Sequence, residues 1–410
     1  MSGYVEEIIE REEAIERVSG RLGFPWTLRA RTKSLDEAAG CRLADDHVAG
    51  EQYPSFSRSL RDGYALRAGD VRGASGQSPV FLTLAGESPM GAIPKTALSS
   101  GEAVSIFTGG AIPEGANAVV MQEHSSMAGG LVEIRKSVQK GENVMLAGEE
   151  IETGNLVAAK GERIDFRSAG VLATMGITRM SVMAPRIGVF STGDEIVPST
   201  TIDVPPGKIR DVNSHTVRAL LKESGFESVN LGILPDDADM MASSVLDSLE
   251  ELDVLMITGG SSVSVRDHTS DILSAIGPDG LLVRGINISP GKPTLVGGSR
   301  NPGRLVIGLP GHPLSCLIVM VSFVMPLLGK LLSGRQTHFC STGCMTAARD
   351  FFGRSGVEEF IAARFDRDGV YPLWAKSGYV GILGSAECLV RIPRERETFR
   401  AGESAEVWLW

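Results

Sequence analysis

The sequence predicts a multidomain protein of the α+β and α/β classes, built around a doubly wound parallel sheet between residues 185 and 333. At 410 residues the chain exceeds the size of one compact core. Four short apolar runs, at 186–191, 228–234, 253–258 and 304–309, alternate with segments of helical pattern. Strands that alternate with helices are typical of a parallel sheet covered by helices. We therefore expect a doubly wound domain at 181–333.

The N-terminal segment is predicted to be helical and mixed. A helix is expected at about residues 4–18 and a second one from Ser34 to Ala39. Ser34 and Glu37 have the spacing of a capping box, and Gly40 marks the end of the second helix. Residues 149–180 return to the same mixed character. The first predicted domain is therefore 1–47 plus 149–180.

Two further domains are predicted to be rich in β-structure. Between 48 and 148, short apolar runs such as VFLTLAGE are interrupted by Gly and Pro, which indicates an inserted β-rich domain. The runs ECLVRIP and AEVWLW predict a small β-barrel-like domain at 334–410. The most apolar stretch, 314–328, is shorter than the roughly 20 residues of a bilayer span. It is therefore expected to be a buried helix, with no role at a membrane.

Composition narrows the functional classes. A net charge of -10 and a pI near 5.3 argue against nucleic-acid binding, which needs a basic surface. The acidic start MSGYVEEIIEREEAIERV has no secretory pattern. The five cysteines form no paired framework or zinc spacing, so we expect reduced thiols in a cytoplasmic protein.

The Gly-rich and acidic clusters locate a site. TGDE, PDD, TGGSSVSVRD and GLPGHP each follow a predicted strand, and ligands bind parallel sheets outside the carboxyl ends of the strands. Each carboxylate pair alone is typical of a helix cap or a solvated turn. Together, at neighbouring strand ends, they favour a site for a hard cation such as Mg²⁺. These carboxylates are Asp194, Glu195, Asp236, Asp237 and Asp267.

Other candidates are weaker. The run GINISPGKP has five residues between its outer glycines, and Pro293 stands where a phosphate-binding loop has a hydroxyl. Lys292 and the Gly291 amide are either an oxyanion site or an ordinary surface turn. Asp62 in RSLRDGY is either a turn residue or a functional carboxylate, and Thr108 in IFTGG either ends a strand or contributes to a site. His268 and His312 lie in loops of the predicted site.

The order of these segments resembles a known family. SLRDGYA, FTGGAIPEGANAVVMQE, GEEI, FSTGDEI, DVNS, LGILPDD, TGGSSVSVRDHT, SPGKP and GLPGHPLS are similar to successive signatures of the molybdopterin molybdenumtransferases (MoeA, gephyrin E-domain). The resemblance implies a transferase that takes molybdate and adenylylated molybdopterin, cleaves the adenylate with Mg²⁺, and releases AMP and molybdenum cofactor. It also implies a homodimer, with 1–47 plus 149–180 as dimerisation domain and 181–333 as molybdopterin-binding domain. Molybdopterin adenylyltransferase and recipient molybdoenzymes are the implied partners.

The resemblance also assigns roles to residues. It implies catalytic roles for Asp62, Thr108, Glu195, Asp236 and Asp267; the last three would hold Mg²⁺, and Asp62 would come from the partner subunit. The implied substrate- and oxyanion-binding residues are Ser191, Thr192, Gly193, Gly259, Gly260, Ser262, Ser289, Gly291, Lys292, Pro293, Pro310, Gly311 and Ser315.

The chain departs from the family pattern in its positive charge. Ser289 stands where the family has the first Lys of Lys-Pro-Gly-Lys-Pro, and Ala362 stands where an Arg is expected. Arg210 and Arg266 are candidates to restore the charge. Two alternatives stay open: a paralogue that prefers another oxyanion, such as tungstate, and a pterin-binding scaffold without catalysis.

Overall fold

The computed structural model describes residues 8–183, 185–259, 263–336, 340–374 and 376–410, and of residues 263–267 it describes only the backbone. The chain divides into two compact units. The first contains Met1–Asp45, Lys160–Phe166 and Arg179–Trp410, and the second contains Asp46–Ala159 and Arg167–Thr178.

The centre of the first unit is a six-stranded sheet. In chain order its strands are β1 (Ile187–Thr192), β2 (Ser228–Leu234), β3 (Val254–Thr258), β4 (Gly280–Val283), β5 (Leu295–Ser299) and β6 (Arg304–Leu309). Their spatial order is β2-β1-β3-β6-β5-β4. The pairs β2·β1, β1·β3 and β3·β6 are parallel, so these four strands end at one edge. The predicted parallel sheet is confirmed.

Two strands extend this sheet beyond the predicted four. Strand β5 pairs antiparallel with β6, and β4 pairs antiparallel with β5. The sequence signal for β5 was weak because Gly297 and Gly298 lie in its middle, and glycine has a low preference for strands. Both glycines are needed for close packing: a Cβ on Gly298 would lie 2.2 Å from the Arg304 carbonyl oxygen.

Alternating side chains of the strands pack on opposite faces of the sheet. In β3, Val254 and Met256 join one core, whereas Leu255 and Ile257 join the other. The first face is covered by the helices Arg11–Leu22, Asn213–Glu223 and the run Pro313–Ser333; the second is covered by Ala238–Glu251 and Val263–Ala275. The sheet is thus wound on both faces, as the helical periodicity predicted.

The run Pro313–Ser333 is the buried helix that the sequence predicts. It consists of Pro313–Val319, a π-helical turn at Met320–Val324, and Met325–Ser333. By length and composition it could cross a membrane, but 89% of its most apolar window is buried within the protein. It is a core helix.

The N-terminal helix spans Arg11–Leu22, later than the predicted 4–18, whose first residues lie outside the described chain. The second predicted helix is confirmed at Leu35–Ala38, with both hydrogen bonds of the Ser34–Glu37 capping box. The neighbouring strand Ala30–Ser34 pairs antiparallel with Arg179–Met183.

The second unit contains a six-stranded β-sheet, as expected for an inserted β-rich segment. Its spatial order is Ala118–Met121, Gly63–Leu66, Glu102–Ile106, Val80–Glu87, Leu131–Ile134 and Ser125–Ala128. Two short ladders join His47–Val48 with Leu156–Ala158 and Arg58–Ser59 with Val144–Met145. The helix Phe166–Thr174 and two 3₁₀ turns, Ala68–Val71 and Gln122–His124, complete the named elements.

The C-terminal part forms another sheet within the first unit. Its spatial order is Ile288–Ser289, Glu358–Asp366, Cys388–Ile392, Ser404–Leu409 and Ser341–Thr346, with Gly369–Pro372 paired to Glu358–Asp366. The predicted strands in ECLVRIP and AEVWLW are confirmed. Short ladders join Phe351–Phe352 with Thr398–Phe399 and Ile196–Val197 with Ile209–Arg210, and a short helix spans Gly381–Ser385. The strand Ile288–Ser289 thus leaves the central sheet region and pairs with the C-terminal sheet.

Candidate functional site

A cleft of about 720 Å³ lies at the carboxyl ends of β1, β3 and β6 in the first unit. Ser191 and Thr192 end β1, Thr258 ends β3, and Gly311 follows β6. The Ser191 and Thr258 hydroxyls are 3.2 Å apart and hydrogen bonded. The loop that follows β1 contributes the other wall, with Glu195, Lys208, Arg210, Asp211 and Asn213. The site therefore lies where the sheet topology predicts it.

Two glycines with positive φ lie at the cleft: Gly259 lets the ends of β3 and β1 approach, and Gly193 lets the Glu195 side chain approach the backbone. Gly259 has φ of 129°, and a Cβ there would lie 2.3 Å from the Thr192 carbonyl oxygen. Gly193 has φ of 138°, and a Cβ there would lie 2.7 Å from Glu195 Oε2. Neither position tolerates a side chain without displacement of the cleft wall.

Three carboxylates gather beside the cleft. The Asp236 amide donates to Asp194 Oδ1 at 3.2 Å, which joins the loop after β2 to the loop after β1. Burial raises the pKa of Asp236, and the negative charges of Asp194 and Glu195 raise it further, whereas His268 lowers it. The crowding of like charges is the arrangement that a bound cation would relieve.

Several polar atoms at or beside the cleft are unpaired. Within the described part of the chain, three buried atoms at or beside the cleft have no hydrogen-bond partner: Thr192 Oγ1, Asn213 Oδ1 and Asp236 Oδ1. Buried polar atoms are nearly always paired, because desolvation without a partner costs about 1–3 kcal/mol. Two of these atoms can only accept, so they fit a cation or a ligand that donates hydrogen bonds.

Positive side chains lie on the same loop as Glu195. Lys208 Nζ donates to the Asp194 carbonyl oxygen. Arg210 donates to the carbonyl oxygens of Thr201 and Ile202, each at 2.8 Å, which fixes the loop while its side chain remains exposed. His312 lines the cleft, and its Nδ1 is 2.8 Å from Ser377 Oγ. Cations beside a carboxylate cluster can hold an anionic ligand together with a metal ion.

The predicted oxyanion loop lies apart from the residues that line this cleft. Gly291 has φ of 137°, and a Cβ there would lie 2.7 Å from Val319 Cγ2, so the loop is packed against the core helix. Lys292 is exposed, whereas Ser315 is buried in that helix. Arg354 Nη2 donates to Ser289 Oγ, and its Nε is 2.8 Å from Glu359 Oε1. A cation therefore does reach Ser289. Of the two arginines predicted to restore the charge, Arg210 binds Thr201 and Ile202 instead, and the Arg266 side chain lies outside the described residues.

The second unit holds its own pair of predicted residues. Asp62 precedes the strand Gly63–Leu66 and Thr108 follows Glu102–Ile106. Asp62 Oδ1 accepts hydrogen bonds from the Thr108 amide at 2.6 Å and from Thr108 Oγ1 at 2.7 Å. These bonds hold the pKa of the Asp62 carboxyl below its usual value. The structure thus brings two candidates together that are 46 residues apart in sequence.

The predicted residues are distributed unevenly. Five of them line the cleft: Ser191, Thr192, Glu195, Gly259 and Gly311. Gly193 and Pro310 are sequence neighbours of these residues, and Asp236 is hydrogen bonded to Asp194 in the same loop. Gly260, Ser262 and the Asp267 side chain lie outside the described residues. Among the described side chains, no group of three His, Cys, Asp or Glu is arranged as a complete metal site.

The helix Asn213–Glu223 begins at the cleft. Asn213 is its first residue, and Asn213 Nδ2 donates to the Gly311 carbonyl oxygen at 2.7 Å. Asp211 Oδ1 accepts a hydrogen bond from the Ser214 amide. Asp237, in contrast, is the N-cap of Ala238–Glu251 through the Met240 amide, which matches the capping interpretation.

The sequence analysis assigned no individual role to several cleft residues, among them Lys208, and Asp211 and Thr258 within the signatures DVNS and TGGSSVSVRDHT. Lys208 follows a Pro-Pro-Gly turn in the long loop that begins at TGDE. Its positive charge and its place in a loop at a strand end are the two features from which a role at the site could have been predicted.

Comparison with known proteins gives three family-model matches. The MoeA N-terminal region (domain I and II) matches residues 9–176, a probable molybdopterin binding domain matches 188–330, and the MoeA C-terminal region (domain IV) matches 345–410.

Individual relatives agree. A molybdopterin molybdenumtransferase of Staphylococcus aureus (strain MRSA252) is 32% identical over 404 residues, covering 97% of this chain and 94% of the relative. One from Staphylococcus epidermidis is 31% identical over 382 residues, covering 92% and 90%. Two crystal structures of the Pyrococcus horikoshii molybdopterin biosynthesis MoeA protein match with TM-scores of 0.76 and 0.84, at 33% and 28% identity. Each covers 98% of this chain, and the chain covers 99% and 100% of them.

Proposed function

This chain belongs to the molybdopterin molybdenumtransferase (MoeA) family, whose members are transferases of molybdenum cofactor biosynthesis, and we propose that it cleaves adenylylated molybdopterin with Mg²⁺ and releases AMP. The chain binds molybdopterin and inserts molybdenum into it. Adenylylated molybdopterin and molybdate are the substrates in this proposal. The protein would act in the cytoplasm and pass its product to molybdoenzymes.

The observation that carries the proposal is the set of unpaired acceptors at the cleft. Asp236 Oδ1 is buried and unpaired within the described chain, beside two further carboxylates. The donor set is hard oxygen, which Mg²⁺ prefers. Asp236 and Glu195 would hold the ion, and Asp267 is the third ligand that the family resemblance adds. Bound there, Mg²⁺ would neutralise charge on the phosphate oxygens during cleavage.

The remaining cleft residues would bind and orient the substrate. Lys208 and Arg210 would attract the phosphates, since both are exposed cations on the cleft wall. The Ser191 and Thr258 hydroxyls, which are hydrogen bonded to each other in the structure, would donate to phosphate oxygens instead. Gly193 and Gly259 would keep the strand ends close enough for backbone contacts to the ligand.

Oxyanion binding is proposed for the loop Ser289–Pro293 together with Ser315. Within it, Lys292 supplies one cation, and Arg354 supplies a second one through its contact with Ser289 Oγ. Glu359 partly neutralises Arg354, because their charged atoms are 2.8 Å apart. Reduced net charge at this loop is the one observation that favours a second candidate, a paralogue with a different oxyanion preference such as tungstate.

The Asp62–Thr108 pair would act in a homodimer. Asp62 and Thr108 are exposed and mutually bonded, and the apolar side chains Leu60 and Phe107 next to them in sequence are exposed as well. Exposed apolar residues around a polar pair are typical of a protein interface. We propose that the pair serves the cleft of the partner subunit. An Asp62→Ala subunit mixed with an inactive-cleft subunit should then recover part of the activity.

The direct test is AMP release from adenylylated molybdopterin by the purified protein, with Mg²⁺, at graded concentrations of molybdate and tungstate. Release at low molybdate, together with a product that activates a molybdenum-free recipient enzyme, is the expected result. Release with tungstate alone would favour the paralogue, and Ser289→Lys should then shift the preference toward molybdate. Absence of release with either oxyanion would contradict the proposal and leave a pterin-binding scaffold.

A further inference from the structure

An exposed aromatic groove of about 570 Å³ lies in the C-terminal part, lined by residues 373, 374, 378–382 and 385. Trp374 and Tyr379 line it and are 60% and 55% exposed, and Val380 is 48% exposed. Large apolar side chains grouped on a surface are typical of binding sites, since exposing them to water is unfavourable.

The groove is held in a defined geometry. The Trp374 ring stacks on Phe352, with centroids 6.2 Å apart and an interplanar angle of 27°. The Leu373 amide donates to the Ala362 carbonyl oxygen at 2.8 Å, which fixes the start of the segment to its neighbouring strand. The Tyr379 amide donates to the Lys376 carbonyl oxygen at 2.9 Å and closes a turn. A preorganised aromatic surface binds a planar ring with little loss of entropy.

The groove is continuous with the cleft. Gly378 and Val380 line both depressions. The segment is tied to the cleft wall by two contacts of Ser377: its Oγ is 2.8 Å from His312 Nδ1, and its carbonyl oxygen accepts from the Leu314 amide at 3.1 Å. A ligand that fills the cleft can therefore extend into the groove.

The cleft itself lacks an aromatic platform. Among the described residues that line it, none is Phe, Tyr or Trp, whereas Lys208 and Arg210 provide positive charge. The cleft thus suits phosphates, and the groove suits a flat ring. Adenylylated molybdopterin contains both kinds of group, with two heteroaromatic rings, a pterin and an adenine, joined through phosphates.

We infer that the groove stacks one heteroaromatic ring of the substrate, pterin or adenine, on Trp374 and Tyr379 while the phosphates occupy the cleft. This inference rests on the proposed function and adds a ring-binding subsite to it. Because a base stacks favourably on an aromatic side chain, losing Trp374 should weaken ring binding by roughly tenfold, which corresponds to about 1.4 kcal/mol.

The test compares Trp374→Ala and Tyr379→Ala with a matched control, Phe365→Ala. Phe365 is an exposed aromatic residue on the strand Glu358–Asp366 of the C-terminal sheet, and it does not line the groove. The Michaelis constant for adenylylated molybdopterin should rise about tenfold in the two groove variants with little change in kcat. Tyr379→Phe, which keeps the ring, should stay near wild type. Were Trp374→Ala to fold poorly, Trp374→Leu, which keeps the bulk but removes the ring, and Tyr379→Ala would carry the test.

Separate titrations with molybdopterin and with AMP identify the ring. Weaker binding of molybdopterin alone assigns the groove to the pterin, and weaker binding of AMP alone assigns it to the adenine. Unchanged constants in both groove variants, in a protein that still releases AMP, would overturn the inference and leave the proposed function intact. Unchanged constants with impaired transfer to a recipient enzyme would also overturn it and indicate a protein-docking surface. A wild-type protein that releases no AMP would instead contradict the proposed function.

Discussion

Two polar clusters in the first unit differ in how completely their groups are paired. Around Glu358, every charge has a partner: Arg11 Nε lies 2.9 Å from Glu358 Oε2, and Arg391 Nε lies 2.5 Å from Glu358 Oε1. Arg11 also donates to the Ser322 carbonyl oxygen at 3.1 Å, and Arg391 contacts Glu406 at 2.8 Å. At the cleft, by contrast, Asp236 Oδ1 is buried without a partner among the described atoms.

The pKa values of the two carboxyl groups, Glu358 and Asp236, are shifted in opposite directions. Burial by itself would raise the pKa of Glu358, but the hydrogen bonds and charges of Arg11 and Arg391 outweigh it and hold that pKa below its usual value. Burial and like charges raise the pKa of Asp236. The first cluster is complete and stabilises the fold. The second keeps a buried acceptor without a partner among the described residues, which supports the proposal that a ligand binds there.

The largest expected effect is on stability. Glu358→Ala removes the buried carboxylate that Arg11 and Arg391 share and leaves Arg11 paired only with the exposed Glu12, so the free energy of unfolding should fall by about 3–5 kcal/mol. Denaturant unfolding measures it. The control is Glu16→Ala, on the helix that also carries Arg11. It removes an exposed ion pair with Lys330 at 2.7 Å and should lower the free energy of unfolding by less than about 1 kcal/mol. Equal losses in both variants would show that the Glu358 cluster is not special.

The next effect is on turnover. Asp236→Asn should reduce the rate of AMP release on the order of 100-fold, the size expected when a group that binds metal or stabilises charge is lost. Without Mg²⁺ its stability should equal or exceed that of wild type, because a crowded negative charge is removed. Asp237→Asn is the matched control: Asn also caps helices, so activity should stay within about twofold. A similar loss in both variants would contradict the assignment to Asp236.

A smaller effect concerns acid stability. Because the pKa of Glu358 is lowered in the folded state, its contribution is complete above the unfolded value of 4.5 and is lost as pH falls through the lower folded value. Below pH 4.5 the gap in unfolding free energy between wild type and Glu358→Gln should therefore narrow. A gap that stayed constant down to pH 3 would mean that the carboxylate charge contributes nothing.

The smallest expected effect concerns oxyanion affinity. Arg354→Ala should raise the half-saturating molybdate concentration about fivefold. The variant removes a charge-assisted contact to the oxyanion, and solvent exposure of Arg354 makes that contact weak. Arg364→Ala, an exposed arginine on the strand Glu358–Asp366, should leave it unchanged. No difference between the two variants would remove Arg354 from the proposed oxyanion site.

Much of the fold followed from local pattern. Apolar runs that end in Gly or Asp predicted β1, β2, β3 and β6, because buried parallel strands need continuous apolar residues and sharp exits. The capping box at Ser34 was predictable because its two partners, Ser34 and Glu37, lie within one helical turn. Strand β5 was not, since its two central glycines are explained only by close packing: Gly298 packs against β6 and the helix Arg11–Leu22, and Gly297 against β4 and the helix Val263–Ala275.

The site was predictable in position but not in detail. Strand-end clusters located the cleft, whereas Lys208 reaches it only because its loop folds back on Asp194. The partner of Ser289 could not be foreseen, because Arg354 is 65 residues away and meets it only through pairing of Ile288–Ser289 with the C-terminal sheet. Contacts of this kind depend on long-range register, which single-sequence patterns do not contain.

The most direct test of the central claim is thermal unfolding with adenylylated molybdopterin, in the absence of molybdate, as Mg²⁺ is increased. Selective binding to the folded state raises the melting temperature as free Mg²⁺ exceeds its dissociation constant. The unpaired Asp236 acceptor predicts a rise of several degrees for wild type and Asp237→Asn, and none for Asp236→Asn. A rise of equal size in Asp236→Asn, or no rise in wild type, would contradict the claim that this cleft is completed by a metal ion.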